Sequence, residues 1–169
     1  RGASAPLSRT CLVQREVAQR LAAMPASADW GPLAIGVQLA YEAQPGRTVG
    51  PELFWPRPKV DSTVCHLALR SDAPTDPAGL AAAERVRALA RALFGRRRQT
   101  LGRFVAEHLP PPDPTDGAAG SAPAREGARR ERAAAWTGAL GLDPAARPET
   151  LDLAALRRLA EALAAAGAR

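Results

Sequence analysis

Two prolines one residue apart, in Phe54-Trp55-Pro56-Arg57-Pro58-Lys59-Val60-Asp61-Ser62, restrict the local structure more than any other feature of the chain. Each removes a backbone donor and fixes φ, so the stretch is neither a helix interior nor a central strand. It has to be an irregular connection, and a stiff one. Phe54 leads into it and Trp55 follows, so an aromatic ring is kept at a fixed place. An enzyme that works on a nucleobase needs such a ring to hold the unstacked base by its π-face. Such stacking is worth about 1–3 kcal/mol. Arg57 and Lys59 beside it are placed to hold phosphate. From the residues alone, a proline-rich connection whose phenyl ring is buried in a core is the reading to prefer.

The segments on either side define the organisation. Thr10 to Val13 is short and apolar and reads as a buried strand or its last part. Gln14 to Met24 reads as a helix, with Val17, Leu21 and Met24 at helical spacing, broken at Pro25. Leu33 to Tyr41 is apolar with β-compatible residues and reads as a strand. Thr48-Val49 opens a short extended piece, and Ser62 to Leu69 alternates as a strand does. Two strands joined by a long irregular loop make an antiparallel pair at a sheet edge. The composition shifts at Ser71 to Pro77, which places a domain boundary there, between residues 1–72 and 78–169. Helices are expected at Ala78 to Phe94, Arg98 to His108, Arg129 to Leu140 and Leu153 to Ala166, the last capped by Asp152. Pro110 to Gly127, rich in Pro, Gly and Ala, reads as a disordered insertion.

Charge and composition narrow the function. The chain of 169 residues carries a net charge of +6, which suits a polyanionic partner. A GC-rich genome would also inflate arginine, so the position of the charge matters more than its sum. Arg96, Arg97, Arg98 and Arg103 cluster near a helix start, with Arg87 and Arg91 one or two turns earlier, and RNA phosphates are their natural partners. Arg125, Arg129, Arg130 and Arg132 are interleaved with Glu126 and Glu131 and read as a solvated face. Aromatic residues are only 4%, so the core is built from Ala, Leu and Val. Trp30, Tyr41 and Trp136 read as packing residues. Cys11 and Cys65 read as reduced, buried thiols, and neither they nor His66 and His108 have the spacing of a metal site. No apolar run in these residues is long enough for a membrane span, and none has the charged start and apolar middle of a signal peptide. The first residues, Arg1 to Pro6, are loop-like, and the chain is expected to begin inside a longer protein.

The stretch F-x-P-x-P-x-V-x-S resembles a loop of the RNA adenine dimethyltransferases. That family includes the ribosomal small-subunit (16S) dimethyltransferases and the 23S methyltransferases that confer macrolide resistance. Four further stretches resemble the same family in the same order. They are Val13 to Arg20 (V-Q-R-E-V-A-Q-R), Asp29 to Gln38 with Trp30 where Tyr is usual, Phe94 to Leu101 (F-G-R-R-R-Q-T-L) with Gln99 where Lys is usual, and Gly141 to Glu149. The last two favour the small-subunit branch.

The resemblance implies an α/β fold: the C-terminal part of a Rossmann-like class I S-adenosylmethionine-dependent methyltransferase domain, followed by a small all-α domain. It makes Thr10 to Val13 part of the fifth strand and Leu33 to Tyr41 with Ser62 to Leu69 the sixth and seventh. It implies that Phe54 stacks on a flipped adenine, that Pro56 and Pro58 shape its loop, and that Gln14 and Glu16 support the pocket from the strand end. Arg57, Lys59, Arg96, Arg97, Arg98 and Arg103 are then RNA-binding. The implied reaction moves methyl groups from S-adenosylmethionine to N6 of adenosines in small-subunit ribosomal RNA. The N6 lone pair is delocalised into the ring, so positioning in line with the methyl supplies much of the acceleration. No metal is implied. The methyl-donor site needs a glycine-rich loop and an Asn-Leu-Pro-Tyr segment, neither of which occurs in this sequence, and both are expected before Arg1. The implied partner is ribosomal RNA or the small-subunit precursor, with no membrane, a monomeric state and a cytoplasmic location. A non-catalytic module that docks the pre-ribosome and a 23S methyltransferase of the resistance type are the alternatives.

Overall fold

A computed structural model describes residues 6–110 and 122–167. The chain divides into two compact units, Arg1–Arg87 and Ala88–Arg169. The core of the first contains β1 (Ser8–Gln14), α1 (Arg15–Leu21), α2 (Pro32–Gln38), β2 (Tyr41–Val49) and β3 (Ser62–Leu69). The division falls within α3 (Pro77–Phe94). The second unit continues with α4 (Leu101–His108), α5 (Ala122–Ala139) and α6 (Leu153–Ala165).

The sheet has the order β1-β3-β2, and both pairings are antiparallel. Alternation along β3 sends Thr63 and Cys65 to a covered face, while His66 stays exposed. Ala18 and Leu21 of α1 pack with Cys65 on that face, surrounded by Cys11, Val13, Leu67, Val37 and others. Cys65 is fully buried as expected, but Cys11, its partner across the ladder, is only half-buried. Burial, and after it the neighbouring Cys11, pushes the Cys65 thiol above its usual pKa.

The expected strand at Leu33 to Tyr41 is a helix for most of its length. Pro32 stands in its first turn, where a missing N–H costs nothing. Ala34, Ile35 and Leu39 are buried, so the segment is apolar on nearly all sides. A short, fully apolar run does not reveal its period, and a buried helix and a buried strand look alike in it. The Gln38 side-chain amide fixes the helix end by donating to the carbonyls of Leu21 and Ala23, both at 2.9 Å. The strand that pairs with β3 starts later, at Tyr41, and runs through Pro45-Gly46. Proline is tolerated there because β2 lies at the edge of the sheet, and the register shifts between Pro45 and Thr48. Met24, expected on the α1 face, lies beyond the helix and is 67% exposed.

In the second unit α4 and α5 pack together. Buried Leu101, Phe104 and Val105 come from α4, Ala133 and Thr137 from α5, and Leu156 and Leu159 from α6. Asp152 caps α6, accepting from the Ala155 amide at 2.7 Å as the sequence indicates. Helix α5 begins at Ala122, inside the segment read as irregular. Alanine and arginine are strong helix formers, and the Glu126–Arg130 pair at 3.0 Å supports the first turns. Residues 111–121 of that segment lie outside the described residues. Gly141, with φ of +67°, ends the helix in the left-handed conformation. The Leu142 amide reaches back to the Thr137 carbonyl at 3.0 Å.

Candidate nucleic-acid interface

The first group of candidate residues sits on the connection between β2 and β3. A 3₁₀ turn at Pro51–Leu53 lets the Leu53 and Phe54 amides bond back to Gly50 and Pro51, both at 3.3 Å. Phe54 itself is extended (φ −120°, ψ 147°) and half-buried. Trp55, which follows, is 97% exposed, and Arg57 and Lys59 are exposed as well. The far end of the loop is tied down at Asp61. Its carbonyl accepts from the Arg15 amide at 3.0 Å and its carboxylate pairs with the Arg15 guanidinium at 3.1 Å. That tie joins the loop to the point where β1 becomes α1. A cleft of ≈190 Å³ opens there, lined by Gln14, Arg15, Glu16, Lys59, Val60 and Asp61. The structure thus brings Gln14 and Glu16 together with Lys59. Phe54, Pro56 and Pro58 are on the same loop but outside the lining of that cleft.

The second group lies between α3 and α4. Arg96, Arg97 and Arg98 are all exposed and occupy a turn before the helix, so α4 starts later than Arg98. Arg97 lies over the Phe94 ring, 5.6 Å from its centroid. Arg96 and Arg103 both reach the carboxylate of Glu107, which also accepts from the Gln99 amide at 2.7 Å. The Gln99 amide, and after it the Arg103 and Arg96 guanidiniums, hold the Glu107 carboxyl below its usual pKa against an upward push from partial burial. Two of the four arginines are therefore already engaged with an internal anion.

The late segment that follows α5 sets the position of this turn. Thr100 gives α4 no side-chain cap. Instead the Leu101 amide donates to the Ala146 carbonyl at 2.9 Å and the Gly102 amide to the Pro144 carbonyl at 2.8 Å. The Arg147 guanidinium donates to the Arg98 carbonyl. Gly141 to Glu149 is in this way the support of the arginine turn.

The second arginine group is not merely solvated. Arg129 donates to the Ala106 and Glu107 carbonyls, and Arg132 to the Pro110 carbonyl at 2.8 Å, so both stabilise the C-terminal end of α4. Arg130 pairs with Glu126. Trp30 is buried to 1% exposure, and Trp136 is half-buried. Tyr41 packs under the Arg9 guanidinium, 5.5 Å from its ring centroid. His66 shares a hydrogen bond of 3.1 Å with Thr10, and His108 stacks on Phe104.

Sequence reasoning missed the Arg15–Asp61 tie, the Glu107 network and the Arg147 support. Only the second left a signal, because Arg103 and Glu107 have the i,i+4 spacing of a helical ion pair. Among the described residues no helix is long and apolar enough to cross a membrane. None of the described glycines forms a glycine-rich loop between a strand and a helix.

An α/β unit with an antiparallel edge, followed by helices, is also the fold of known RNA-modifying enzymes. A dimethyladenosine transferase from Plasmodium falciparum superposes with a TM-score of 0.70 at 18% identity, over 95% of this chain and 58% of that one. The 23S rRNA methyltransferase ErmE superposes with a TM-score of 0.53 at 21% identity, over 93% and 55%. Residues 5–112 match the ribosomal RNA adenine dimethylase family, and the chain belongs to that family. The Ribosomal RNA small subunit methyltransferase A of Anaeromyxobacter dehalogenans (strain 2CP-C) is 45% identical over 154 residues, which is 90% of this chain and 46% of that protein. The chain spans about half the length of the curated relatives it matches.

Proposed function

We propose that the protein containing this chain transfers methyl groups from S-adenosylmethionine to N6 of adenosines in small-subunit ribosomal RNA, giving dimethyladenosine. The observation that carries the reading is the loop Phe54 to Asp61: an extended, half-buried phenylalanine on a connection stiffened by Pro56 and Pro58 and tied at both ends. Membership of the adenine dimethylase family supports it.

In this reading Phe54 offers one face to an adenine turned out of the RNA, and Pro56 and Pro58 hold the ring in register. Fixing the base lowers the entropic part of the barrier and leaves the N6 group aimed at the donor. Arg57 and Lys59 hold the flanking phosphates, and Arg96, Arg97, Arg98 and Arg103 hold phosphates on a second stretch of RNA. Gln14 and Glu16 support the pocket at the end of β1. S-Adenosylmethionine supplies the methyl group when bound, and no residue of this chain is assigned to it. The partner is ribosomal RNA or the small-subunit precursor, met by a monomer in the cytoplasm.

The test uses the full-length gene product, small-subunit particles lacking the modification, and mass spectrometry of dimethyladenosine. The parent protein forms it. Phe54→Ala lowers the methylation rate by at least ten-fold, roughly the value of one base stack, and leaves RNA affinity within a few-fold. Equal loss of rate and affinity overturns the stacking role. RNA binding with no methyl transfer by the parent favours a non-catalytic module that docks the pre-ribosome.

A further inference from the structure

Among the described residues Trp55 is the most exposed large apolar side chain, at 97%. The other two tryptophans behave differently: Trp30 is buried and Trp136 half-buried. An indole has 150–250 Å² to bury and ordinarily finds cover. Here it projects from a loop that does not yield easily. Phe54 bonds back to Pro51 on one side, Pro56 follows directly, and Asp61 is tied to Arg15 on the other. Leu53 and Val60 are exposed on the same loop, at 68% and 43%. Exposed apolar groups gathered on a rigid loop mark a contact surface.

The chemistry around the indole selects the partner. Arg57 and Lys59 follow within four residues and are exposed. Of the acids on the loop, Glu52 precedes the aromatic pair and Asp61 is engaged by Arg15. An open π-face with cations beside it is the arrangement that takes single-stranded nucleic acid. The backbone at Phe54 is extended, so successive side chains leave it on opposite sides. A base resting on Trp55 is therefore a different base from one resting on Phe54.

We infer that Trp55 is a second stacking platform, taking an unpaired base near the one held by Phe54, while Arg57 and Lys59 hold the adjoining phosphates. The inference rests on the proposed RNA substrate and adds a substrate-binding residue to it.

The test reads binding directly. A single-stranded RNA of roughly ten nucleotides is titrated into the full-length parent and into Trp55→Phe, Trp55→Ala and Phe54→Ala. The fluorescence difference between the parent and Trp55→Phe isolates this indole. It is quenched by acrylamide in the free protein, and RNA shields it. Trp55→Ala weakens binding roughly ten-fold, Trp55→Phe recovers most of the loss, and the salt dependence of binding is unchanged because no charge is removed. Phe54→Ala leaves the shielding of Trp55 intact. Shielding that is absent, or Trp55→Ala binding within two-fold of the parent, overturns the inference while the RNA substrate stands. A parent that binds no RNA overturns both. Self-association of the parent that Trp55→Ala abolishes assigns the indole to a protein contact and overturns it too.

Discussion

At Glu107 a single carboxylate collects three donors, from Arg96, Gln99 and Arg103. Its pKa lies below the ordinary value of 4.5 for the reason given by those donors, Gln99 first. A carboxyl with a depressed pKa in the folded state contributes stability that is present above its unfolded value and lost as pH falls through the folded one. Glu107→Gln keeps the shape and removes the charge. At neutral pH the variant is less stable than the parent, and the gap closes as pH falls below about 4. Chemical denaturation from about pH 7 to about pH 3 reads this. A gap that persists in acid means that the network acts through packing. The same substitution releases Arg96 and Arg103, so RNA affinity at neutral pH rises. The carboxylate is solvent-accessible to about a third, which keeps its effect on stability small.

At the level of elements, the start of α4 is held by backbone carbonyls rather than by a cap. Gly102 is where the helix meets the Pro144 turn. A Cβ built there lies 3.0 Å from the Pro144 Cβ and 3.1 Å from its carbonyl oxygen. Alanine is a better helix former than glycine by about 1 kcal/mol, but crowding a packed contact costs about 1–3 kcal/mol. Crowding wins, because the oxygen that must shift is the acceptor of the Gly102 amide. Gly102→Ala therefore destabilises the protein by about 1 kcal/mol, seen as an earlier urea midpoint with an unchanged slope. A later midpoint shows that the turn gives way freely. The elements that the sequence predicts well are those with a visible period or cap. Ser62 to Leu69 alternates and is β3, and Asp152 announces α6. Helix α2 was hidden by an apolar run without a period. Strand β2 was hidden by Pro45 and Gly46, which an edge position tolerates. The start of α5 was hidden by glycines and prolines counted together with the alanines and arginines that follow them. At the candidate site, the motif residues were readable as chemistry. Their supports were not, because Asp61, Pro144 and Arg147 act through contacts that are distant in sequence or carried by the backbone.

For the whole molecule the question is whether the net charge of +6 acts as a sum or through its placement. If the sum governed RNA binding, every arginine would contribute alike. The structure shows them in unlike surroundings. Arg129 and Arg132 are directed at carbonyls, and Arg130 at Glu126. Arg96, which reaches Glu107, and Arg97, which lies over the Phe94 ring, stand with Arg98 on one turn held by the Gly141 to Glu149 segment. Each phosphate neutralised on a single strand contributes about 0.7 to the slope of log affinity against log salt. Replacing Arg96, Arg97 and Arg98 with glutamine lowers the magnitude of that slope by up to about 2. The fall is smaller to the extent that Glu107 already occupies Arg96. Arg130→Gln, which removes a charge from a helical ion pair, leaves the slope within error of the parent. Filter binding across a salt series separates the cases. An equal change per charge in the two variants means that placement is irrelevant, and an unchanged slope in the triple variant removes the turn from the RNA interface.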